Sequence, residues 1–392
     1  MSSSSSKLPE EDVVLPYFHG ALMDQDSESL LVNEGDFMIV TKFSMEINRT
    51  IFYLAVRTKK GVRRLEIKRN ASGARLNQKT CPTLAKLIEF FKTSPIQLPD
   101  EQVTLKRAIP KGKFQLMHRD VNFKKKIGSG AYGTVYRGRL VKDNVVVAVK
   151  KLDTEGTDEE GLAEMMKEAR VMQLYDHINI VKFFGYILDD QPYLLVLEYC
   201  DGGSVEDRLR EKAKKTSVAK RVNMTAQAAR GMEYLHQKNC IHRDIATRNC
   251  LIHKEIVKMA DFGMCRATSV YKVDLSKPQN VRWLAPEVWE KGETRVNTDI
   301  YAFGVMIWEM FENPYRSPYS EWKAYTVKQK VRQGYRMRPH ASMPKEMEQI
   351  LNDAWHHDPN KRPTSEKLRE RLDELNLRIN AGNKSQMERS NT

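Results

Sequence analysis

The front of the chain carries apolar positions with two different periods. Residues 37–40, 52–56 and 64–67 are short runs of apolar, β-branched and aromatic side chains bounded by turn residues, which predicts strands. Residues 27–32 and 83–91 repeat apolar side chains at helical spacing, which predicts a helix on each side of the strands. Helix, sheet and helix in this order predict a small α+β domain.

A glycine-rich segment follows further along the chain. Residues 127–135 contain Gly-x-Gly-x-x-Gly, and β-branched runs at 134–136 and 145–149 flank a turn at Asp143 and Asn144. Dinucleotide-binding folds use a similar loop, but there a helix follows the glycines. The strands predicted here instead place the glycines in a hairpin turn, where backbone N–H groups can approach a phosphate without Cβ interference.

The second strand of this hairpin ends at a lysine that needs a partner. Lys150 closes the run Val-Ala-Val-Lys, and residues 161–174 repeat apolar side chains at helical spacing. Glu168 lies on a neighbouring face of that predicted helix, within reach of Lys150. A solvated lysine and glutamate are the alternative. We favour a pair in which Glu168 holds Lys150 against the α- and β-phosphates of a nucleotide.

Three polar residues further on have the chemistry and the order of a phosphoryl-transfer site. Residues 240–249 read Cys-Ile-His-Arg-Asp-Ile-Ala-Thr-Arg-Asn, and an Asp-Phe-Gly triplet begins at Asp261. Phosphoryl transfer needs a carboxylate that orients the attacking hydroxyl and oxygen ligands that hold magnesium. We predict that Asp244 orients the hydroxyl and that Asn249 and Asp261 hold Mg²⁺, with Mn²⁺ as a second candidate.

Together these motifs resemble a protein-kinase domain that spans residues 120–376. The resemblance implies ATP as the phosphoryl donor, and the expected fold class is α+β: a bilobal kinase fold preceded by the small α+β domain. It also implies that Glu287 of an Ala-Pro-Glu triplet pairs with Arg362. Asp299 would brace the backbone around His242.

The same resemblance implies which residues contact the nucleotide. The glycine-rich hairpin would cover the phosphates, Leu197 would control access to a deeper cavity, and the backbone around Glu198 would bind adenine. The residues assigned in this way are Ile127, Gly128, Ser129, Gly130, Ala131, Tyr132, Gly133, Thr134, Val135, Ala148, Lys150, Glu168, Leu197, Glu198 and Cys200. The apolar run that ends at Leu197 equally predicts a core strand, and both interpretations can hold at once.

The catalytic segment is similar to that of tyrosine kinases. Serine/threonine kinases typically carry a lysine two residues after the catalytic Asp, whereas this chain has Ala246 there and Arg248 two residues later. We count Arg248 among the catalytic residues. Residues 281–287 resemble the platform that receives a substrate tyrosine. The chain departs from the pattern at Thr247 and at Asn280, where a proline is usual, and losing the fixed φ of proline bears on peptide preference.

Residues 15–376 also resemble the Fer/Fes-type cytoplasmic tyrosine kinases. The segments that carry this likeness are residues 108–111, 114–121, 231–235 and 238–242. The family's long amino-terminal membrane-bending and coiled-coil region has no counterpart here, so we expect a short Fer-like form. The expected division is a disordered tail at 1–14, the α+β domain at 15–100, a linker at 101–119, the kinase domain at 120–376 and a disordered tail at 377–392.

The α+β domain resembles an SH2 domain with an atypical phosphate pocket. SH2 domains bind phosphotyrosine through an arginine at the end of a strand. Here that position holds Val40, and Asp24 stands where a second arginine is usual. Lys42 on the same strand face and Arg64 on a later strand offer a partial replacement. We expect a docking or regulatory module that has lost tight phosphotyrosine binding.

The segment from Asp261 to Glu287 would be the activation loop. Tyr271 falls where such kinases are phosphorylated, and Arg243 directly precedes the catalytic Asp. A phosphate on Tyr271 would pair with Arg243 and order the loop. An ordinary loop aromatic is the alternative.

Composition limits the remaining possibilities. The chain has 392 residues, a net charge of +14 and five scattered cysteines. Its basic residues are dispersed, which predicts weak anion attraction and no specific nucleic-acid partner. No apolar run approaches the about 18 residues of a membrane span. Reduced thiols indicate a cytoplasmic protein, with a nuclear or membrane-peripheral pool as a second candidate.

Three functions are therefore in view. We favour an active protein-tyrosine kinase whose partners are tyrosine-bearing protein substrates and docking partners of the SH2-like domain; nothing in the sequence indicates an oligomer. A catalytically weak kinase-fold scaffold and a serine/threonine kinase are the alternatives. Inactive kinase folds usually lose the lysine or one of the two aspartates, and Lys150, Asp244 and Asp261 are all present.

Overall fold

The computed structural model of the chain describes residues 8–44, 46–70, 73–130, 133–152, 159–212 and 215–390. The chain divides into two compact units. The first contains residues 1–169 and 184–198, and the second contains residues 170–183 and 199–392.

The helices, in chain order, are α1 (Glu10–Val13), α2 (Asp24–Leu30), α3 (Leu84–Thr93), α4 (Glu159–Met172), α5 (Val205–Lys212), α6 (Val218–Gln237), α7 (Pro286–Lys291), α8 (Val296–Phe311), α9 (Ala324–Arg332), α10 (Lys345–Ala354) and α11 (Ser365–Ser390). Short 3-10 helices cover His118–Asp120, Thr247–Asn249 and Pro359–Lys361.

The strands are β1 (Asp36–Ser44), β2 (Arg49–Thr58), β3 (Gly61–Asn70), β4 (Gly73–Leu76), β5 (Lys79–Cys81), β6 (Ile96–Gln97), β7 (Gln102–Val103), β8 (Arg107–Ala108), β9 (Gln115–Leu116), β10 (Val121–Gly130), β11 (Gly133–Leu140), β12 (Val146–Lys151), β13 (Phe183–Ile187), β14 (Leu194–Glu198), β15 (Cys240–Ile241), β16 (Cys250–His253), β17 (Ile256–Met259), β18 (Arg266–Ala267), β19 (Tyr271–Lys272) and β20 (Glu293–Thr294).

The first unit begins with a sheet in the order β5-β4-β3-β2-β1-β8. Strands β1 to β5 pair antiparallel with their neighbours, and β8 pairs parallel with β1. The register places Phe37 opposite Val56 and Ile39 opposite Leu54, and all four side chains are fully buried. This alternation forms one core face, as the strand prediction required.

Helix α3 completes that core. It buries Leu84, Leu87, Ile88 and Phe91, and the Thr83 side chain caps it by accepting a hydrogen bond from the Lys86 N–H at 3.2 Å. The predicted helix at 83–91 is therefore confirmed. Helix α2 begins three residues earlier than the predicted 27–32, because Asp24 and Asp26 in its first turn favour a helix start there.

The start of the described chain differs from the disordered tail expected at 1–14. Asp12 is buried in α1, and its Oδ2 accepts a hydrogen bond from Arg69 Nε at 2.8 Å. Leu8 and Val13 pack against the core of the first sheet. The structure thus differs from the expectation at residues 8–14, because composition alone does not reveal a charge partner that lies on a distant strand.

A second sheet of the first unit has the order β10-β11-β12-β14-β13-β9. The hairpin of β10 and β11 contains the glycine-rich segment at its turn, which confirms the hairpin prediction. One face is a compact apolar core of Val121, Leu140, Val147, Val149, Ile187, Leu194 and Val196. The opposite face of β12 therefore carries Ala148 and Lys150.

The second unit is mainly helical and is built around α8. Every side chain from Thr298 to Phe311 is buried. A Cβ at Gly304 would lie 3.2 Å from the Cβ of Ala354, so only a small residue lets α8 approach the end of α10 this closely. This packing also buries Asp299, in the first turn of α8.

The final helix also differs from expectation. α11 continues to Ser390, although residues 377–392 were expected to be disordered. Leu368, Leu372 and Leu375 are buried on one face at the start of this helix, so a helix nucleated by packing extends into a polar segment. In the part of the chain that the structure describes, no helix is long and apolar enough to cross a membrane.

Candidate active site

Lys150 is held by the centre of the second sheet. It lies opposite Val135 on β11 and Leu195 on β14, so strands on both sides fix its backbone. Its Nζ lies 2.7 Å from Oε2 of Glu168, and the two side chains are only 18% and 6% exposed. The predicted pair is present in the first unit, in a partly dehydrated place where an unpaired charge would be costly.

Helix α4 supplies Glu168 because its other faces are apolar. Met165, Met166, Ala169 and Met172 are buried, which orients the helix and leaves Glu168 towards Lys150. The lysine is thus fixed in position with its charge neutralised. Its ammonium group can contact a phosphate without leaving the carboxylate.

The glycine-rich hairpin has the backbone freedom expected of a phosphate cover. Gly130 pairs with Gly133, which adopts a φ of +135° that favours glycine, and a Cβ at Gly128 would meet nothing within 4 Å. Ile127, Ser129, Thr134 and Val135 lie on the hairpin strands, and Leu197 lies opposite Ala148. Ala131 and Tyr132 fall outside the described residues.

In the second unit, a buried carboxylate holds the catalytic segment. Asp299 Oδ2 accepts the N–H of His242 at 2.7 Å, and its Oδ1 accepts the N–H of Arg243 at 2.8 Å. The φ of Arg243 is +70°, a conformation that costs about 1–2 kcal/mol in a non-glycine residue. Two hydrogen bonds to a charged acceptor offset this strain, so the turn that presents Asp244 is fixed.

Three side chains donate to the carboxylate of Asp244. Arg248 Nη2 and Asn280 Nδ2 both donate to Oδ1, the latter at 2.7 Å. Asn249 Nδ2 donates to Oδ2 at 2.7 Å and to the backbone oxygen of Asp244 at 2.8 Å. The base is therefore buried, oriented and still has acceptor capacity on Oδ2.

Asn249 and Asp261 are brought together by the backbone. The N–H of Ala260 donates to the carbonyl oxygen of Asn249 at 2.8 Å, which places Asp261 one residue away. Because Nδ2 of Asn249 is bonded to Asp244, its amide oxygen is left as a ligand, and the side chain of Asp261 is exposed. One amide oxygen and one carboxylate fit Mg²⁺, which binds few protein ligands and takes the rest from phosphate and water.

Beneath this turn lies a hydrogen-bond centre that the sequence interpretation missed. Glu309 is fully buried and accepts from Thr247 Oγ1 at 2.8 Å, Tyr315 OH at 2.8 Å and Trp283 Nε1 at 2.9 Å. Burial raises the pKa of the Glu309 carboxyl above its usual value. The guanidinium of Arg248 stacks on Trp283 at 4.1 Å.

The signal for this centre was the hydroxyl of Thr247. From the sequence we named Thr247 only as a departure from the pattern, whereas a buried hydroxyl needs an acceptor. Asn280 was also assessed only for the φ that a proline would have fixed. Its side chain instead contacts Asp244, so the departure from the pattern adds a polar contact at the reacting centre.

The predicted pair of Glu287 and Arg362 is present and buried. Arg362 Nη1 and Nη2 bond to the two carboxylate oxygens at 2.6 and 2.8 Å, and its side chain has no exposed area. The guanidinium also donates to the carbonyl of Asn297 at 2.8 Å, at the start of α8. This pair therefore ties the end of residues 281–287 to the buried core.

Tyr271 lies between two guanidinium groups. Its ring centre is 4.2 Å from Arg243 and 4.9 Å from Arg266, and its backbone pairs with Thr294 in a short antiparallel ladder. Burial, together with the neighbouring charge of Arg266, lowers the pKa of the Arg243 guanidinium. Two crowded cations beside a tyrosine would stabilise a phosphate on it. Arg266 was not among the predicted residues.

The predicted phosphate pocket of the amino-terminal module is occupied by the protein's own carboxylates. Arg64 Nε lies 2.9 Å from Asp24 Oδ1, and Arg64 also donates to Glu28 at 3.3 Å. Lys42 pairs with Glu159 at the start of α4, and Val40 is buried. All of these residues except Glu28 line a largely apolar cavity of about 360 Å³. Each predicted cation is thus already neutralised.

The predicted residues are therefore distributed over both units. The first contains the hairpin, Ala148, Lys150, Glu168, Leu197 and Glu198, and the second contains Cys200, Arg243, Asp244, Arg248, Asn249, Asp261 and Tyr271. Each unit brings its own set together. In the first unit this is a lysine paired with a carboxylate near a glycine hairpin, and in the second it is the carboxylate of Asp244 with Asn249 and Asp261 nearby.

Comparison with known sequences identifies the class of protein. Residues 121–372 match the family described as "Protein tyrosine and serine/threonine kinase". The chain belongs to this family. The expected kinase fold, with a β-rich amino-terminal lobe and a helical carboxy-terminal lobe, is confirmed.

Similar proteins extend the match beyond the kinase domain. The transforming tyrosine-protein kinase Fps of avian sarcoma virus (strain PRCII) is 33% identical over 353 residues, which cover 89% of this chain and 65% of the relative. Tyrosine-protein kinase Fer of Homo sapiens is 31% identical over 377 residues, 95% of this chain and 45% of the relative. Fer-related kinase 1 of Caenorhabditis elegans is 30% identical over 384 residues, 95% and 97% respectively.

The likeness to Fer/Fes-type kinases is thus confirmed at about 30% identity over most of the chain. The chain spans only 65% and 45% of the lengths of the viral Fps and human Fer relatives that it matches.

The buried pair predicts a large loss of stability when it is broken. Arg362→Met leaves Glu287 as a buried charge without its partner, and we expect a loss of about 3–5 kcal/mol in the free energy of unfolding of the full chain. Urea unfolding followed by fluorescence measures this change.

Two controls separate the pair from general damage. Arg378→Met breaks an exposed pair with Glu346 and should cost less than about 1 kcal/mol. Adding Glu287→Gln to Arg362→Met should recover part of the loss. Equal costs for the buried and the exposed pair would show that the buried pair has no structural role.

Proposed function

We propose that this protein is an ATP-dependent protein-tyrosine kinase that transfers the γ-phosphate of ATP to tyrosine hydroxyls of protein substrates. The observation that carries the proposal is the arrangement around Asp244. A buried carboxylate is oriented by three donors, retains acceptor capacity on Oδ2, and lies in the same unit as the adjacent oxygen ligands Asn249 and Asp261. That arrangement suits the orientation of a hydroxyl for in-line transfer.

In the mechanism, Asp244 accepts a hydrogen bond from the substrate phenol at Oδ2. The phenolic oxygen attacks the γ-phosphorus in line with the bond to ADP, and Asp244 takes the proton late in the reaction. Lys150, held by Glu168, binds the α- and β-phosphates. Asn249 and Asp261 would hold Mg²⁺ or Mn²⁺, and the bound ion neutralises charge on the phosphates.

Tyrosine is the favoured acceptor because of what surrounds Arg248. Its guanidinium bonds to Asp244 and stacks on Trp283, whose indole is fixed by Glu309. By the resemblance to tyrosine kinases, this group would form a wall at the start of residues 281–287 that suits a long phenolic side chain. The small Ala246 occupies the position where serine/threonine kinases typically carry lysine.

We also propose that the amino-terminal module is of the SH2 type but docks its partners without tight phosphotyrosine binding. Val40 offers no donor, and the cations at Lys42 and Arg64 face carboxylates of the same unit. A phosphate entering there would have to displace Asp24, Glu28 and Glu159. We place the protein in cytoplasmic signalling, with a nuclear or membrane-peripheral pool as the second candidate.

Asp244→Asn tests the proposed activity directly. The variant keeps the side-chain shape but removes the proton acceptor, so transfer to a poly(Glu,Tyr) substrate should fall by about 100-fold or more, within the range of general-base effects. ATP affinity should be largely unchanged, because Asp244 does not hold the nucleotide. Radiolabel transfer and equilibrium nucleotide binding measure the two quantities.

The matched control is Asp143→Asn, the same chemical change at an exposed turn residue, which should leave the rate unchanged. Equal labelling by wild type and Asp244→Asn would favour the catalytically weak scaffold. Phosphoserine or phosphothreonine without phosphotyrosine in the product would defeat the choice of acceptor.

Tyr271→Phe tests regulation by autophosphorylation. A phosphate on Tyr271 would form one to three charge-assisted hydrogen bonds with Arg243 and Arg266 and order the segment, so the variant should lose most of the activation that follows preincubation with ATP. Tyr325→Phe, at a tyrosine that is 70% exposed on α9, should retain it. Unchanged specific activity of Tyr271→Phe in a phosphatase-free preparation would end this idea.

A phosphopeptide titration tests the module in the full chain. Asp244→Asn protein, which does not turn over, should bind labelled phosphotyrosine peptides no more tightly than their unphosphorylated forms. Arg64→Ala should not change that affinity. Sub-micromolar binding that depends on the phosphate and disappears in Arg64→Ala would show that the pocket does bind phosphotyrosine.

A further inference from the structure

The strongest unassigned feature is the contact between Asn280 and the carboxylate of Asp244. Asn280 Nδ2 lies 2.7 Å from Oδ1, although the two residues are 36 positions apart in the chain. The neighbouring Gln279 directs its amide at the carbonyl oxygens of Asp274 and Lys277. Of these two adjacent amide side chains, Gln279 therefore donates within its own segment and Asn280 donates to Asp244.

The contact with Asn280 determines which oxygen of the Asp244 carboxylate can still accept a hydrogen bond. Each carboxylate oxygen has two lone pairs. Arg248 and Asn280 use both lone pairs of Oδ1, whereas Asn249 uses one lone pair of Oδ2. One site on Oδ2 is left to accept a hydrogen bond from an incoming hydroxyl.

The backbone of Asn280 strengthens the same arrangement. Its carbonyl oxygen accepts the N–H of Trp283 at 3.0 Å, which closes a turn at the start of residues 281–287. Trp283 in turn stacks against Arg248, the other donor to Oδ1. Asn280 thus contacts residues 281–287 through its backbone and the Asp244 carboxylate through its side chain, so the position of this segment affects the orientation of the carboxylate.

We propose that Asn280 is a positioning residue for phosphoryl transfer: by occupying Oδ1 of Asp244 it leaves Oδ2 as the acceptor for the substrate hydroxyl. This inference rests on the proposed kinase function. In this role the Asn280 amide orients the carboxylate of Asp244. Asn280 therefore acts on the substrate hydroxyl only through Asp244 and does not touch ATP.

Two variants distinguish the donor from the turn. Asn280→Asp keeps the side-chain shape and the turn preference but has no N–H to donate, and Asn280→Leu removes all polarity at similar volume. Both should lower kcat for poly(Glu,Tyr) by about 10-fold, a part of the about 10²–10⁴-fold that a positioned base contributes. The KM for ATP should stay unchanged. Gln279→Leu is the matched control and should keep the wild-type rate.

A double-mutant cycle shows whether Asn280 acts through Asp244. In the Asp244→Asn background the base is gone, so adding Asn280→Leu should have little further effect on the residual rate. Additive losses would overturn the proposal, because they would mean that Asn280 acts elsewhere. Wild-type activity in Asn280→Leu would also overturn it, since no donor is then left at this position.

A second measurement needs no turnover. The side-chain amide resonances of Asn280 in the full chain should shift in Asp244→Asn and stay in place in Gln279→Leu. Resonances that do not respond to Asp244→Asn would refute the contact even in an active enzyme. If the resonances shift in Asp244→Asn but the wild-type protein forms no phosphotyrosine, the proposed kinase function is wrong while the contact stands. Failure of the positioning role and failure of the kinase function are therefore distinguishable.

Discussion

The geometry of the second unit depends on the buried carboxylate of Asp299. Its two oxygens hold the N–H groups of His242 and Arg243, and this fixes a backbone in which Arg243 has a φ of +70°. Such a turn is unfavourable for a non-glycine residue, and it persists because α8 buries Asp299 along with every following side chain to Phe311. The position of Asp244, the proposed base, therefore follows from the packing of a helix, which fixes the irregular segment between β15 and the 3-10 helix Thr247–Asn249.

From this fixed turn a connected set of polar contacts extends to the substrate platform. Asp244 bonds to Arg248, Arg248 stacks on Trp283, and Trp283 donates to the buried Glu309. Both departures from the tyrosine-kinase pattern join this set, Thr247 through Glu309 and Asn280 through Asp244. Buried polar groups are costly when unpaired, so a hydroxyl or an amide gained here is retained only where it finds a partner. The Thr247 hydroxyl and the Asn280 amide nitrogen each find a partner in this set.

Patterns local in sequence were sufficient to predict many of the elements, but not the partners that folding brings from a distance. The strands, the glycine hairpin and helix α3 follow from period and turn residues. The pocket on the module did not, because the carboxylates that neutralise Lys42 and Arg64 include Glu159, more than a hundred positions away. From the sequence, only the backbone φ at Asn280 was considered, because the partner of its side chain, Asp244, is 36 positions distant. Residues 8–14 also differ from the disorder expected from composition. Here too the partner is distant in sequence, because Asp12 meets Arg69 only in the folded sheet.

The segment between Asp261 and Glu287 is held at several points, and this bears on how a phosphate would act. Its start is joined to Asn249 through the Ala260 backbone, its middle pairs with β20 at Tyr271, and its end is fixed by Arg362. A phosphate on Tyr271 would attract Arg243, whose backbone N–H is already held by Asp299. The Tyr271 ring already lies 4.2 Å from that guanidinium, so the new charge would strengthen a contact that is present and hold the middle of the segment against the catalytic turn. Because Asn280 lies within this loop and contacts Asp244, the proposed ordering of the loop would also fix the side chain that we propose orients Asp244.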